Sequence, residues 1–313
     1  MKLLFMIFFG LYRLSNTVRL VGKREYSSSH IVQNLHNLHN LQNTIFNTDL
    51  MKCKTVDTII NSQNIICNKH NKKFNSNEID LYLTENEFIK DKKLICVSPG
   101  GLRGFYQFGI ANYIKQNYNL DNFIFSGASA GAWNSLFLCY TDDPVEFTSL
   151  ILDKNIYNTN SIYDLQYSLK YNLLKNFKTE NFDLKRLFIG ISVINNMKLE
   201  TNIYSDFEDL EDAIDGCIAS SNIPFLTGNI NSKYHNVYGY DGGFTKYPYL
   251  NLTKSVLNIT PYMWEFNHSS KYGIFNDMLF SKNINLFKLY YEGYKDTEFN
   301  KKFLDEILHL LDI

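Results

Sequence analysis

The chain has 313 residues, a formal net charge of -1, 45% hydrophobic residues and 20% charged residues. This length suits one large domain with extensions or two small domains, and the balance excludes a wholly disordered chain, a collagen-like rod and a coiled coil. Near-neutral charge gives no general drive toward nucleic acid, and no run reaches the roughly 18 apolar residues of a typical membrane-spanning helix.

Residues 1–30 differ from the rest. Leu3 to Tyr12 is a short apolar stretch behind Lys2, no acid precedes Glu25, and Arg13, Arg19, Lys23 and Arg24 lead into Ser27-Ser28-Ser29. An apolar core behind a basic residue suits a secretory signal. The basic, acid-free, serine-ending continuation suits an organelle transit peptide better. A processed mitochondrial presequence or signal peptide over residues 1–26 is therefore expected, the alternative being an interfacial or frayed terminus.

Residues 31–92 form an Asn-rich extension in which Leu35, Leu38 and Leu41 sit three apart, and Ile31 to Asn77 reads as a low-complexity linker or peripheral helix. His36 and His39 share that spacing but have no Cys, Asp or Glu partners for a metal site. No cofactor and no metal is expected, since no acidic cluster has calcium-loop spacing.

From Leu94 the pattern becomes strand–helix alternation. Leu94 to Val97 is a short buried-type strand ending at Ser98-Pro99-Gly100-Gly101, and a helix follows from Gly104 with Tyr106, Ile110 and Tyr113 on one face. Asn122 to Phe125 is a second strand, then Gly127-Ala128-Ser129-Ala130-Gly131, then a helix over Ala132 to Tyr140. Asp143-Pro144 starts another helix with an acidic cap and a proline at its first position. Arg186 to Ile194 and Met197 to Tyr204 read as strands, Phe207 to Ala219 as an amphipathic helix, and Ser255 to Ile259 as a last core strand. The alternation indicates an α/β fold with a mostly parallel central sheet over residues 93–265. The tail, 266–313, is helical and aromatic-rich. From Phe275 to Tyr290 it could serve as an interfacial helix or lid, but a helix packed over the domain is the preferred reading.

Cys53, Cys67, Cys96, Cys139 and Cys217 are scattered with no CxxC pair and read as free thiols in a reducing compartment. The sequons at Asn251, Asn258 and Asn267 read as chance matches in an Asn-rich chain.

Three glycine-rich segments carry chemistry. Gly127 to Gly131 is a GxSxG turn between a strand and a helix. Small neighbours allow the sharp bend, Ser129 stands exposed at the strand end, and the helix N-terminus faces developing negative charge. Pro99-Gly100-Gly101-Leu102-Arg103-Gly104 is also a strand-to-helix connection, able to turn successive N–H groups into an anion site, and it lacks the GxGxxG dinucleotide fingerprint. Arg103 is one of only five arginines, and a planar fork for a phosphate is one reason to have it. Asp241-Gly242-Gly243 is either a plain turn or a carboxylate within reach of a serine.

Together these segments resemble the patatin-like phospholipases, lipid acyl hydrolases that carry a glycine-rich oxyanion motif with Arg, then GxSxG, then Asp-Gly-Gly or Asp-Gly-Ala. Ile218-Ala-Ser-Ser-Asn-Ile-Pro224-Phe is similar to that family's Ala-Ser-x-x-x-Pro segment. The resemblance covers about Lys93 to Thr260. It implies a three-layer α/β/α fold and a Ser129–Asp241 dyad in place of a triad. It also implies an oxyanion hole from the N–H groups of Gly100, Gly101 and Ala130, with Arg103 supporting the loop or a substrate phosphate. His235, His268 and His309 are the only histidines after Ser129, and His235 is read as a surface or hydrogen-bonded histidine. The implied substrate is a phospholipid or other lipid ester, the implied partner a peripheral membrane surface, and the implied location intracellular. Pro99 stands where the family often has a first glycine and has no N–H to offer. A catalytically weak lipid-binding protein and a lysolipid acyltransferase are the competing readings.

Overall fold

A computed structural model describes residues 64–67, 72–74, 89, 92–157, 161–250, 255–264 and 285–308. The expected targeting segment, His36, His39, His268, His309, the sequons at Asn251 and Asn267, and the tail up to residue 284 lie outside these residues.

The described elements in chain order are β1 (Asn64–Cys67), β2 (Lys72–Phe74), β3 (Lys93–Val97), α1 (Gly104–Asn117), β4 (Phe123–Gly127), α2 (Ala130–Leu138) and α3 (Pro144–Ile151). Then come α4 (Lys154–Tyr157), α5 (Ile162–Asn176), β5 (Leu187–Asn195), β6 (Lys198–Ser205), α6 (Leu210–Ser220), β7 (Lys233–Tyr234), β8 (Val237–Tyr240), β9 (Ser255–Ile259), α7 (Leu286–Phe299) and α8 (Lys301–Leu308). The sheet order is β2-β1-β6-β5-β4-β3-β9, with β9, β3, β4 and β5 mutually parallel and β6 antiparallel to β5. This is a mixed α/β architecture with a mostly parallel central sheet.

Local chemistry explains the boundaries. Asp143 caps α3, its carboxylate accepting the Val145 N–H at 2.8 Å, with Pro144 in the first turn. Ser161 and Asp209 cap α5 and α6 in the same way. Asn196 and Met197 both have positive φ, 47° and 62°, the geometry of a two-residue hairpin whose twist matches the flanking strands.

The strands alternate between two apolar faces. Ile95, Val97, Phe125, Ile189, Ile191 and Val193 join the main core with the buried residues of α1, α2, α3, α5 and α6. Leu94, Cys96, Ile124, Phe188 and Ile203 face the other way, where Ile89, Tyr249 and Leu250 cover them.

One reading is extended and another corrected. First, the face of Tyr106, Ile110 and Tyr113 is buried, and so is every other side of α1 from Gly104 to Ile114. The cause is α7, which lies directly across its outer surface. A Cβ on Gly109 would sit 2.0 Å from Tyr290 O, and one on Gly293 2.0 Å from Tyr106 O, so glycine on both sides lets the backbones touch. Tyr106 OH donates to Asp296 Oδ2 at 2.7 Å and Asn112 Nδ2 donates to Tyr290 OH at 2.6 Å across the contact. The described part of the tail therefore packs on α1. Second, the linker or helix reading of Ile31 to Asn77 fails at Asn64–Cys67 and Lys72–Phe74. These residues extend the sheet, β1 running parallel to β6 and β2 antiparallel to β1. The short run Ile65-Ile66-Cys67 was too brief to register against its Asn-rich surroundings.

Candidate active site

Val97 of β3, Gly127 of β4 and Ile259 of β9 are in register, so three parallel strands end at one level. The chain leaves β4 there through Ala128 and Ser129 into α2. Ser129 has φ 54° and ψ -129°, a sparsely populated conformation that costs a non-glycine residue roughly 1–3 kcal/mol. The bend is tight enough that a Cβ on Gly127 would lie 2.1 Å from Gly131 O, and one on Gly131 2.0 Å from Val97 O. Both GxSxG glycines are thus required by close approach.

Ser129 Oγ donates to Asp241 Oδ2 at 2.7 Å, and both residues are buried. Asp241 arrives by a different route. β8 pairs antiparallel with β5, Tyr240 opposite Ser192, and carries the chain back to the strand ends, where Gly242 lies against Gly190 O and Ala128 Cβ. Asp241 Oδ1 accepts the Gly243 N–H at 2.7 Å, and the Asp241 N–H donates to Asn222 O at 2.8 Å. Burial pushes the Asp241 carboxyl up to about 6, against the opposing pull of its bonds from Ser129 and Gly243.

The glycine loop is brought to the same place. A Cβ on Gly104 would lie 2.6 Å from Ala130 Cβ, and Pro99 lies beside Gly243. The backbone N–H groups of Gly100, Gly101 and Ala130 donate to none of the described residues. Gly101 takes the left-handed φ of 52° that starts the turn into α1. Gln107, fully buried on α1, braces the loop by donating to Ser98 O at 2.7 Å and Ile259 O at 3.2 Å.

Arg103 Nε donates to Pro261 O at 2.8 Å, and its guanidinium lies over the rings of Tyr106 and Tyr262 at 5.0 Å and 4.3 Å. These contacts tie the start of α1 to residues 261–262. His235 pairs with Asp212 Oδ1 at 2.8 Å on α6, as a hydrogen-bonded histidine.

Ser220 has a role that its motif did not reveal. Its Oγ accepts the Ser129 N–H at 2.8 Å and donates to Gly190 O at 2.7 Å, so it ties the strained bend to β5. The Ala-Ser-x-x-x-Pro likeness was the only sequence signal for it. Ser220→Ala should leave a buried donor and a buried acceptor unpaired. The expected cost is about 2 kcal/mol of stability and roughly tenfold in kcat, read by thermal melting and ester turnover.

The family model described as "Patatin-like phospholipase" matches residues 95–251, from β3 through the Asp241 turn. The chain belongs to the patatin-like phospholipase family. Within this family it is similar to the human protein named "1-acylglycerol-3-phosphate O-acyltransferase PNPLA3", 26% identical over 179 residues. That stretch is 53% of this chain and 37% of the relative, so the chain matches little more than a third of that protein's length. The patatin-like region holds Ser129, Asp241, the glycine loop and Ser220, whereas β9, α7 and α8 fall outside it.

Proposed function

We propose that this patatin-like chain cleaves carboxylic ester bonds of phospholipids or related lipids through an acyl-enzyme on Ser129, with Asp241 as the base. The observation that carries this reading is the 2.7 Å hydrogen bond from Ser129 Oγ to Asp241 Oδ2 in a buried site.

Asp241 accepts the hydroxyl proton as Ser129 Oγ attacks the ester carbonyl, and the tetrahedral oxyanion collapses with loss of the alcohol. Asp241 then returns its proton to the leaving alkoxide and activates a water for deacylation. The free N–H groups of Gly100, Gly101 and Ala130, with the N-terminal end of α2, stabilise the oxyanion. Each such donor is worth about 3 kcal/mol. Pro99 supplies no donor, but it packs beside Gly243 and so backs the residue that orients Asp241.

The relative's name favours a second reading, transfer of the acyl group to a lysolipid in place of water. One acyl-enzyme serves both outcomes. The test is fatty-acid release from mixed phospholipid micelles, with and without a lysolipid acceptor. Free fatty acid in both conditions supports hydrolysis. Diacyl product at the expense of fatty acid supports transfer. Absence of both, in folded protein, contradicts the acyl-enzyme.

A further inference from the structure

Residues 242–250, which follow Asp241, run as a strap across the face of the sheet opposite the main core. Their contacts follow the order of the strands. Thr201 Oγ1 of β6 donates to Thr245 Oγ1 at 2.6 Å. Pro248 O occupies the place that a Cβ on Gly190 of β5 would need, so only glycine admits the strap there. The Leu250 N–H donates at 2.8 Å to Ser126 Oγ of β4, a fully buried serine. Tyr249 OH then donates to Ser98 Oγ, just past β3, at 3.0 Å. Thr201, Gly190 and Ser126 stand two residues from Ile203, Phe188 and Ile124, and so share the face of that second apolar cluster.

Ser98 is where the strap meets the glycine loop, two residues before Gly100. Its N–H donates to Ile259 O at 2.9 Å and its carbonyl accepts Gln107 Nε2 at 2.7 Å. Its Oγ donates to Asn258 Oδ1 at 3.2 Å while accepting from Tyr249. Two of these bonds come from β9 and one from α1; the fourth is the strap's. At the other end, Asp241 Oδ1 accepts the Gly243 N–H and Thr245 Oγ1 donates to Gly242 O at 3.1 Å. Burial pushes the Tyr249 hydroxyl up to about 12, so it stays a donor across the range in which the Asp241 carboxyl ionises.

One segment therefore joins both halves of the proposed chemistry, with Asp241 at its start and the glycine loop at its far end. We propose, resting on the acyl-enzyme reading, that Tyr249 is a positioning residue for the reaction, which through Ser98 holds the Gly100–Gly101 loop in place relative to Asp241. An oxyanion donor counts only where it meets the developing charge, and a misplacement of about 1 Å is costly. Tyr249 touches no reacting atom and acts only through Ser98. It lies outside the GxSxG, glycine-loop and Asp-Gly-Gly segments, so no motif singles it out.

The test compares the full chain with Tyr249→Phe, which keeps the ring and loses only the hydroxyl. The probe is a trifluoromethyl ketone bearing a fatty acyl chain. Ser129 Oγ adds to its carbonyl carbon, the hydroxyl proton passes to Asp241, and the carbonyl oxygen becomes an oxyanion with no group lost. An ether-linked phospholipid, which forms no oxyanion, reports ground-state binding. Tyr249→Phe should lower kcat for ester turnover and affinity for the ketone by the same factor, roughly tenfold, with KM and ether-lipid affinity unchanged. Ser98→Ala should do at least as much, and the double variant should be no worse than Ser98→Ala alone, because both act through one bond. Tyr118→Phe loses a 2.8 Å bond to Asp305 at the far end of α1 and should change none of these. Unchanged kcat and ketone affinity in Tyr249→Phe, an equal loss of ether-lipid affinity, or an equal loss in Tyr118→Phe would overturn the proposal. Absence of both turnover and ketone adduct in the unsubstituted protein would instead overturn the acyl-enzyme reading on which it rests, so the two failures look different.

Discussion

Ser129→Ala is expected to lower kcat for lipid ester cleavage by about 10⁴ or more, leaving only what binding and the oxyanion donors supply. Neighbouring hydroxyls cannot take over. Ser220 Oγ is already committed to Gly190 O and the Ser129 N–H, and Ser221 Oγ donates to Cys217 O at 2.9 Å. The backbone strain at position 129 persists with alanine, so the fold should survive. The Asp241 carboxyl, having lost one of the two bonds that favour its charged form, should titrate above its value of about 6. Turnover with micellar phospholipid and carboxyl titration by NMR check the two halves.

Asp241→Asn is the second large effect. Asparagine keeps the shape and cannot accept the proton, so a loss of about 10³ in kcat is expected. In the unsubstituted protein the carboxyl must be ionised to act, so activity should rise with pH to half its maximum near pH 6 and level off above it. Stability runs the opposite way. The folded carboxyl holds its proton more tightly than a free aspartate, whose pKa is 3.8, so the native state binds more protons between about pH 4 and 6. Stability therefore falls as pH rises through that window, and the penalty is fully present above it. The difference between 3.8 and about 6 corresponds to roughly 3 kcal/mol. Asp241→Asn should recover an amount of that order at pH 8 and little at pH 4.5, measured by denaturant unfolding. Activity lost with stability gained is the signature of a site whose base is held charged in a buried place.

Much of this was legible in the residues. Short apolar runs, followed by glycine in β3 and β4 and by Thr260-Pro261 in β9, located these strands, with Ser255–Ile259 found to the residue. Asp143-Pro144 and the GxSxG turn were readable because capping and sharp bends depend on local chemistry. What escaped depends on contacts distant in sequence. The all-round burial of α1 follows from α7, nearly 180 residues away, as in the bond from Asn112 to Tyr290. The contacts of Arg103 with Pro261 and Tyr262 join segments nearly 160 residues apart, which no local pattern announces. Ser220 looks like any small polar residue at a helix end until β5 supplies Gly190. Asn64–Cys67 joins the sheet only because β6 is there to pair with it.

The central claim is that Ser129, activated by Asp241, is the nucleophile. The most direct test is labelling with a fluorophosphonate, in which the serine oxygen forms a bond to phosphorus as fluoride leaves, followed by peptide mapping. The account predicts one adduct, on Ser129, forming at a rate that rises with pH to a half-maximum near 6 and falls sharply in Asp241→Asn. An adduct on another residue, or labelling of Ser129 at the same rate in Asp241→Asn, would contradict it.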